Sequence, residues 1–401
     1  MANAYLKPDA ITAEALRILH NNLPFVKNID KQHDKETTFG GQKRGASIRI
    51  RKPNQYTVRT GWTIDAQDQN EQSDTLTIGT VRGVDMNFTE ADLALEINEF
   101  SKRFIQPAIT RLASEVDLIT FQNMYRSVYN LVGTAGTTPA SALVYLQANQ
   151  KMNDFATPED PRCMVINPAA QASTVDGLKG LFNPGSAVSK QYTKGRMGGE
   201  ALGFTDWYMS QNVPVHTCGS RSGTILVDGA PDEGSSTLHV DGLGGATQTF
   251  KAGDVFTVAG VYSVNPDTKQ STGSLQQFVV TADATAGSSE VDLTVSPALI
   301  SDGAYQTISA LPANDAAVTV VGTASTAYPQ NMGFHKEAFT FASANLEMPS
   351  DVSFKSQMAV DGVNMRILRQ YDINNSNHPC RIDIFFGSLA QRPSMACRVI
   401  G

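Results

Sequence analysis

One stretch constrains the fold more than any other: Glu96 to Leu131, EINEFSKRFIQPAITRLASEVDLITFQNMYRSVYNL. Ile105, Ile109, Leu112, Val116 and Ile119 recur at the four-three spacing of one helical face. Leu118, Phe121, Tyr125 and Val128 form a second apolar row part-way round the cylinder, so the helix is expected to be covered on two sides. Pro107 has no N–H to donate and its ring blocks the preceding turn, so the long helix is expected to start there, where a first-turn proline is tolerated. About 25 uninterrupted residues follow, about 37 Å of helix. The Arg111/Glu115 pair at i,i+4 adds slight support. A helix this long and two-sided is a strut from which the other parts hang.

A chain of 401 residues favours two or three domains over one core, and 41% apolar content excludes general disorder. No apolar run reaches membrane-spanning length, so no membrane partner is expected. The first twenty residues, MANAYLKPDAITAEALRILH, lack the basic start and apolar block of a signal peptide, so export is not expected. Cys163, Cys218, Cys380 and Cys397 are scattered without paired spacing and read as buried, reduced thiols of a cytoplasmic protein. The net charge of −7 hides a sharper pattern: Ser222 to Gly333 holds two basic residues, Lys251 and Lys269, against eleven acidic ones. Two pieces of different composition share one chain.

Residues 1–35 carry a helix candidate, Ala13 to Asn21, and then a polar stretch with too little apolar surface to fold alone. Either a frayed terminus or an arm docked on a neighbouring subunit fits. Residues 36–88 read as a long charged hairpin. Ile48 and Ile50 alternate with Arg49 and Arg51, and DTLTIGTVRGVDM returns. Lys43, Arg44, Arg49, Arg51, Lys52 and Arg59 lie on the outgoing leg without an acid; Asp65, Asp68 and Glu71 follow without a base. Such a ribbon has no core of its own and far exceeds ordinary hairpin connections. A solvated loop is the plain reading. The sharper and favoured one is a clamp on another copy, these nine charges being the candidate intersubunit contacts. Nucleic-acid binding is weaker, since only Tyr56 and Trp62 interleave the cations.

From Thr138 a helix, SALVYLQANQKMNDF, precedes a buried strand, PRCMVINPAA, that ends in an Asn-Pro turn; irregular glycine-rich sequence and a strand-like WYMSQNVPVHTCGS close this domain. Short β-rich runs at roughly ten-residue intervals then predict an inserted antiparallel barrel or sandwich over residues 222–333. After it, FHKEAFTFASANLEMP, DGVNMRILRQYD and CRIDIFFGSLAQRP return to the composition that precedes the insert. The helix domain is therefore discontinuous, with both ends of the insert meeting one surface.

Chemistry is sparse. His20, His33, His216, His239, His335 and His378 are isolated, with no metal-ligand spacing. Neither a nucleophile elbow nor a phosphate-binding glycine loop is present. Asp228, Asp232, Glu233, Asp241 and Asp254 match no calcium loop and read as a solvated face, with intersubunit salt bridges from an acidic turn as the alternative. No catalytic, cofactor or metal residue is expected, and an enzyme reading ranks last.

Three stretches, FSKRFIQPAITRLASEVD, GFHKEAFTFA and RQYDINNSNHPCRIDIFFGSLAQRP, together with the order of parts, resemble the major capsid proteins of tailed double-stranded DNA bacteriophages, the Hong Kong ninety-seven fold. Within that family the chain is most similar to podovirus coat proteins with an inserted domain. The resemblance implies an α+β capsid fold. Its parts would be an N-terminal arm (1–35), an extended loop (36–88), a peripheral domain with the spine helix (89–135), an axial domain (136–221), an inserted β-barrel (222–333) and returning strands (334–401). It also implies self-assembly as pentamers and hexamers into an icosahedral shell around double-stranded DNA, bound without sequence specificity. A scaffolding protein and a portal protein would be partners, the shell would mature from a procapsid, and assembly would occur in the host cytoplasm. An encapsulin-like compartment is the nearest alternative, and a glycan-binding adhesin a more distant one.

Overall fold

A computed structural model describes residues 15, 19, 23–31, 47–64, 66–67, 71–89, 105–178, 200–360, 362–373 and 377–401. The chain divides into two compact units, one of residues 1–50, 74–121 and 339–389, the other of 51–73, 122–338 and 390–401.

The long helix, α1, spans Gln106–Tyr125, 20 residues and about 30 Å. Pro107 lies in its first turn, where the missing N–H costs nothing. Ile109, Leu112, Val116, Phe121 and Tyr125 are buried, while Leu118 and Ile119 are half-exposed, so the two rows converge on one broad stripe. The helix stops six residues short of the expected Leu131. Val128 to Leu131 leave it to enter a sheet, where Leu131–Val132 pairs in parallel with Arg398 and Val399. Strand pairing with the far end of the chain overrides local helix preference here.

The first unit holds a five-stranded sheet. The strand Asn377–Ala390 is flanked by Val363–Arg369 and Thr80–Thr89 along one half and by Phe339–Ser343 along the other; Phe354–Val360 sits outside Val363–Arg369. Ile382, Ile384 and Phe386 are buried as their alternation predicts. Asp383 is buried too, held by Arg366 at 2.6 Å and Arg381 at 2.7 Å. Residues 23–30 also belong to this core. Leu23, Phe25, Val26 and Ile29 are buried, and Phe25 stacks on Phe121 at 4.4 Å. The amides of Phe25 and Val26 donate to buried Asp117 Oδ1 at 3.0 and 3.1 Å. Residues 23–30 therefore lie on their own chain. Of the expected helix over 13–21, Ala15 and Leu19 are described, helical and fully buried, and the rest lies outside the described residues.

In the second unit, strands Leu131–Val132, Ala396–Ile400, Ala327–His335, Arg162–Ile166 and Asp206–Met209 lie in that order, and Val215–Thr217 pairs with the near end of Ala327–His335. Helix α2, Ala142–Asp154, is capped by Ser141, whose hydroxyl accepts from Leu143 N. Asn167-Pro168, expected to form a turn, instead starts helix α3, Pro168–Gly177. Asn167 Oδ1 accepts from Ala170 N at 2.8 Å and Pro168 takes the first helical position. Tyr145, Met152, Met164, Phe204, Trp207 and Val399 fill the core between helices and sheet.

The acidic segment forms a six-stranded antiparallel sheet in the order Val318–Val320, Val255–Val264, Ser271–Val280, Val291–Leu299, Ser235–Leu243, Gly223–Val227. Its outer members meet through the Leu226–Ala317 bridge, which closes the sheet into a barrel. Phe256 and Phe278, register partners with rings 5.6 Å apart, centre a core drawn from residues 225–320 alone. Ala327–His335 belongs to the other sheet, so the chain has left the barrel before the 333 boundary read from composition.

Two outcomes follow from this packing. Asp117→Ala leaves two buried amides without their acceptor, a loss of about 2–6 kcal/mol from about 1–3 for each orphaned group, read as a lower urea midpoint. Residues 222–322 expressed alone give a dispersed amide NMR spectrum of a folded β protein, because the barrel core borrows nothing from outside.

Candidate assembly interface

The ribbon begins as a pair of strands, Ser47–Arg51 and Ser73–Thr77. Ile50, Leu76 and Ile78 are buried with Ala342, and Ile48, Phe385 and Leu389 pack against them. Gly387 permits this close approach, since a Cβ there would collide with the Thr77 carbonyl. The root of the ribbon is thus part of the first unit's core.

Beyond Lys52, whose amide donates to Gln72 O at 2.8 Å, regular pairing ends. The Gln67 side chain replaces a rung, accepting from Thr57 N at 2.9 Å and donating to Thr57 O at 2.6 Å. The Arg59 guanidinium donates to the carbonyls of Gly61 and Thr63 and shapes the tip. Four large apolar side chains are then left in the open: Tyr56 at 57%, Val58 at 96%, Trp62 at 99% and Ile64 at 83% exposure. Sequence reasoning weighs Tyr56 and Trp62 only as base-stacking residues and passes over Val58 and Ile64.

Of the candidate contact charges, Arg49, Arg51, Lys52, Arg59 and Glu71 are described; Lys43, Arg44, Asp65 and Asp68 lie outside the described residues. Arg51 and Glu71 face each other across the ribbon at 3.5 Å, both well exposed, a geometry worth at most about 1 kcal/mol. A further apolar face lies on α2, where Leu143 and Leu146 are 60% and 45% exposed.

The family described as "P22 coat protein - gene protein 5" matches residues 8–401. The chain belongs to the P22 coat protein family. This coat protein is therefore a structural, major capsid protein of α+β fold, an oligomer of itself in the virion shell. No curated protein matches it by sequence. Among solved structures it is similar to that of Mycobacterium phage Che8, at 11% identity over 94% of this chain and 90% of that one, TM-score 0.47. The CUS-3 coat protein I-domain matches at 24% identity over 25% of this chain and 98% of that one, TM-score 0.20. A virus-like particle from Pyrococcus furiosus matches at 8% identity over 98% and 97%, TM-score 0.38. No helix among the described residues is long and apolar enough to cross a membrane.

In this coat protein the barrel joins the neighbouring sheet through a buried polar neck. Asp254 Oδ1 bonds His216 Nε2 at 2.9 Å, while Oδ2 accepts from Gly219 N at 3.1 Å and Lys251 N at 2.9 Å. The hydroxyl of Tyr125, the last residue of α1, meets His216 Nδ1 at 3.2 Å. Arg221 ties the incoming and outgoing linkers together, donating to Gly219 O at 3.2 Å and Gly322 O at 2.8 Å. From the last strand, Arg398 donates to Gly253 O at 2.9 Å and lies over the Tyr125 ring. Gly253 has φ +106°, a conformation that favours glycine. Burial pulls the Arg398 guanidinium down to about 10, which leaves it charged at neutral pH. Burial alone raises Asp254, but the bonds from His216 and Lys251 N–H and the nearby cations outweigh it and hold the carboxyl below its ordinary range. The four thiols are free and buried; desolvation pushes Cys163 and Cys397 up to about 12 and Cys380 to about 11, the profile of structural cysteine.

A carboxyl with a depressed native pKa stabilises fully above its unfolded value, and that stabilisation is lost as pH falls through the native one. Asp254→Asn is expected to lose about 3–5 kcal/mol at pH 7, the cost of breaking a buried pair. Its stability falls less steeply than the parent's between pH 5 and 2 in urea titrations. Equal acid slopes for the two proteins count against the neck as described.

Proposed function

We propose that this coat protein self-assembles as pentamers and hexamers into a closed icosahedral shell around double-stranded DNA, and that the ribbon is its clamp on an adjacent copy. The observation that carries the reading is the contrast within the ribbon: a root buried in the protein's own core and a tip with Val58, Trp62 and Ile64 almost wholly exposed. Burying one such side chain is worth about 1.5–3 kcal/mol, against at most about 1 for an exposed ion pair. The apolar tip therefore supplies the larger share of the contact, with Trp62 as its anchor. The charges Lys43, Arg44, Arg49, Arg51, Lys52, Arg59, Asp65, Asp68 and Glu71 steer its approach and set register.

In this reading residues 1–35 form the arm, 36–88 the extended loop, 89–135 the peripheral domain, 136–221 the axial domain and 327–401 the returning strands. Residues 222–326 form the insert, a boundary supported by the sheet membership of Ala327–His335. A scaffolding protein and a portal protein are its assembly partners in the host cytoplasm, and the packaged DNA is held without sequence preference.

The experiment compares Val58→Ser/Trp62→Ser with the charge reversal of Arg49, Arg51 and Lys52, following shells by sedimentation. The apolar double variant keeps the parent's melting temperature, since neither side chain is buried, and needs at least a hundred-fold more protein to assemble, from about 3 kcal/mol or more of lost contact. Charge reversal gives a smaller loss, confined to low salt. A trimmed ribbon must keep Leu76 and Ile78, so the deletion that isolates its role removes residues 53–71 and yields a folded chain that forms no shells. Unimpaired shells from that deletion refute the clamp.

A further inference from the structure

The barrel carries a cluster that the sequence scatters. His239 lies on the strand Ser235–Leu243, between Gly223–Val227 on one side and Val291–Leu299 on the other. Asp228 follows the first neighbour directly, its amide donating to His239 O at 3.0 Å. Asp292 is the register partner of His239 on the second neighbour, and Glu290 immediately precedes that strand. Register therefore gathers one imidazole and three carboxylates from three adjacent strands.

The geometry within the cluster is specific. Asp292 Oδ1 lies 2.6 Å from His239 Nδ1, a contact that orients the ring with Nε2 towards the other two carboxylates. Nε2 faces Asp228 Oδ2 at 3.3 Å and Glu290 Oε2 at 3.8 Å. One ligand atom from each of Asp228, His239 and Glu290 falls within 4.8 Å of the other two. Nitrogen and oxygen ligands held at about 2.0–2.2 Å from a zinc-like ion stand about 3–4 Å apart, the spacing of both carboxylates from Nε2. A carboxylate on the far imidazole nitrogen is the usual orienting partner of a metal-bound histidine.

Charge points the same way. Three carboxylates around one imidazole leave an excess of negative charge even when the ring is protonated. The barrel's two lysines are committed elsewhere: Lys251 to Asp283 at 2.8 Å, and Lys269 to the Ala304 carbonyl at 2.5 Å. The cluster's side chains are 38–71% exposed, so an ion reaches them from solvent and water completes its shell.

We propose that Asp228, His239 and Glu290 bind a divalent transition-metal ion of the zinc class on the surface of the barrel, with Asp292 as the residue that positions the imidazole. The mixed nitrogen–oxygen donor set suits zinc, nickel or manganese better than calcium, which takes oxygen alone. Bound there, the ion staples three neighbouring strands. The proposal stands apart from the shell reading and survives or fails without it.

The test is equilibrium dialysis of the full chain, stripped with EDTA, against Zn²⁺, with Co²⁺ as a spectroscopic probe. The parent binds one equivalent of Zn²⁺ that His239→Gln does not, and it melts higher with the ion than without. Asp228→Asn and Glu290→Gln each weaken binding by about ten-fold or more. Asp292→Asn keeps the stoichiometry, weakens affinity about 10–100-fold and shifts the Co²⁺ visible band; Asp292→Glu restores both. Circular dichroism confirms that each variant is folded. Three results overturn the proposal: no stoichiometric Zn²⁺ on the parent, the same stoichiometry in His239→Gln, or preference for Ca²⁺ that outlasts loss of the histidine.

Discussion

The Asp254 carboxylate is the constraint on which the second unit's build depends. A domain inserted into a sheet must leave and return at one place, and two linkers are poorly fixed by apolar packing alone. Here one carboxylate accepts from the backbone of the incoming linker at Gly219, from the barrel at Lys251 and from His216 on the neighbouring sheet. Arg221 then reads the carbonyls of both linkers. Removing two charges from water is costly, and such a pair adds net stability only when its remaining hydrogen-bonding positions are filled. At the neck they are filled largely by backbone groups. That arrangement favours a single geometry over a generic attraction, so the barrel has one seat.

Arg398 extends the same logic to the end of the chain. Its guanidinium is wholly buried, bonds a glycine carbonyl and lies across the Tyr125 ring. The final strand, the end of α1 and the turn that leads into the barrel strand Val255–Val264 therefore meet at one charged cluster. In the same unit Tyr129, Leu131, Val255, Val279, Tyr328 and Ile400 pack into an apolar cluster. Charges fix the angle, and apolar packing supplies the stability.

Periodicity reveals those parts of the fold that local pattern decides. The apolar stripe of α1 and its start at Pro107 are visible in it, and so is the barrel, through turns at regular spacing. What escapes is decided by pairing partners far away in the chain. The end of α1 depends on Arg398 and Val399, more than 260 residues downstream. Ala327–His335 reads as β in either sheet, and only its pairing with Ala396–Ile400 and Arg162–Ile166 assigns it. Helix α3 is legible yet easily misread, because Asn-Pro suits a helix start as well as a turn. At the candidate site the charges stand out as a block, whereas Val58 and Ile64 look like ordinary strand residues until their exposure is known. His239 looks isolated because its partners lie 11, 51 and 53 positions away and meet it only through strand register.

The division of labour between neck and ribbon follows from what a closed shell asks of one sequence. Identical chains must satisfy more than one kind of neighbour, so some contacts have to tolerate changes of angle while the fold behind them does not. In the second unit the fixed part is held by buried, fully determined groups that allow one arrangement. The ribbon tip is held by Gln67 on one backbone rung and Arg59 on two carbonyls. Those bonds are local to the tip, while Ile50, Leu76 and Ile78 at the root are buried. Apolar anchors suit such a part better than ion pairs do. Apolar attraction depends on buried area and hardly on angle, whereas a charge pair loses most of its value when its geometry shifts.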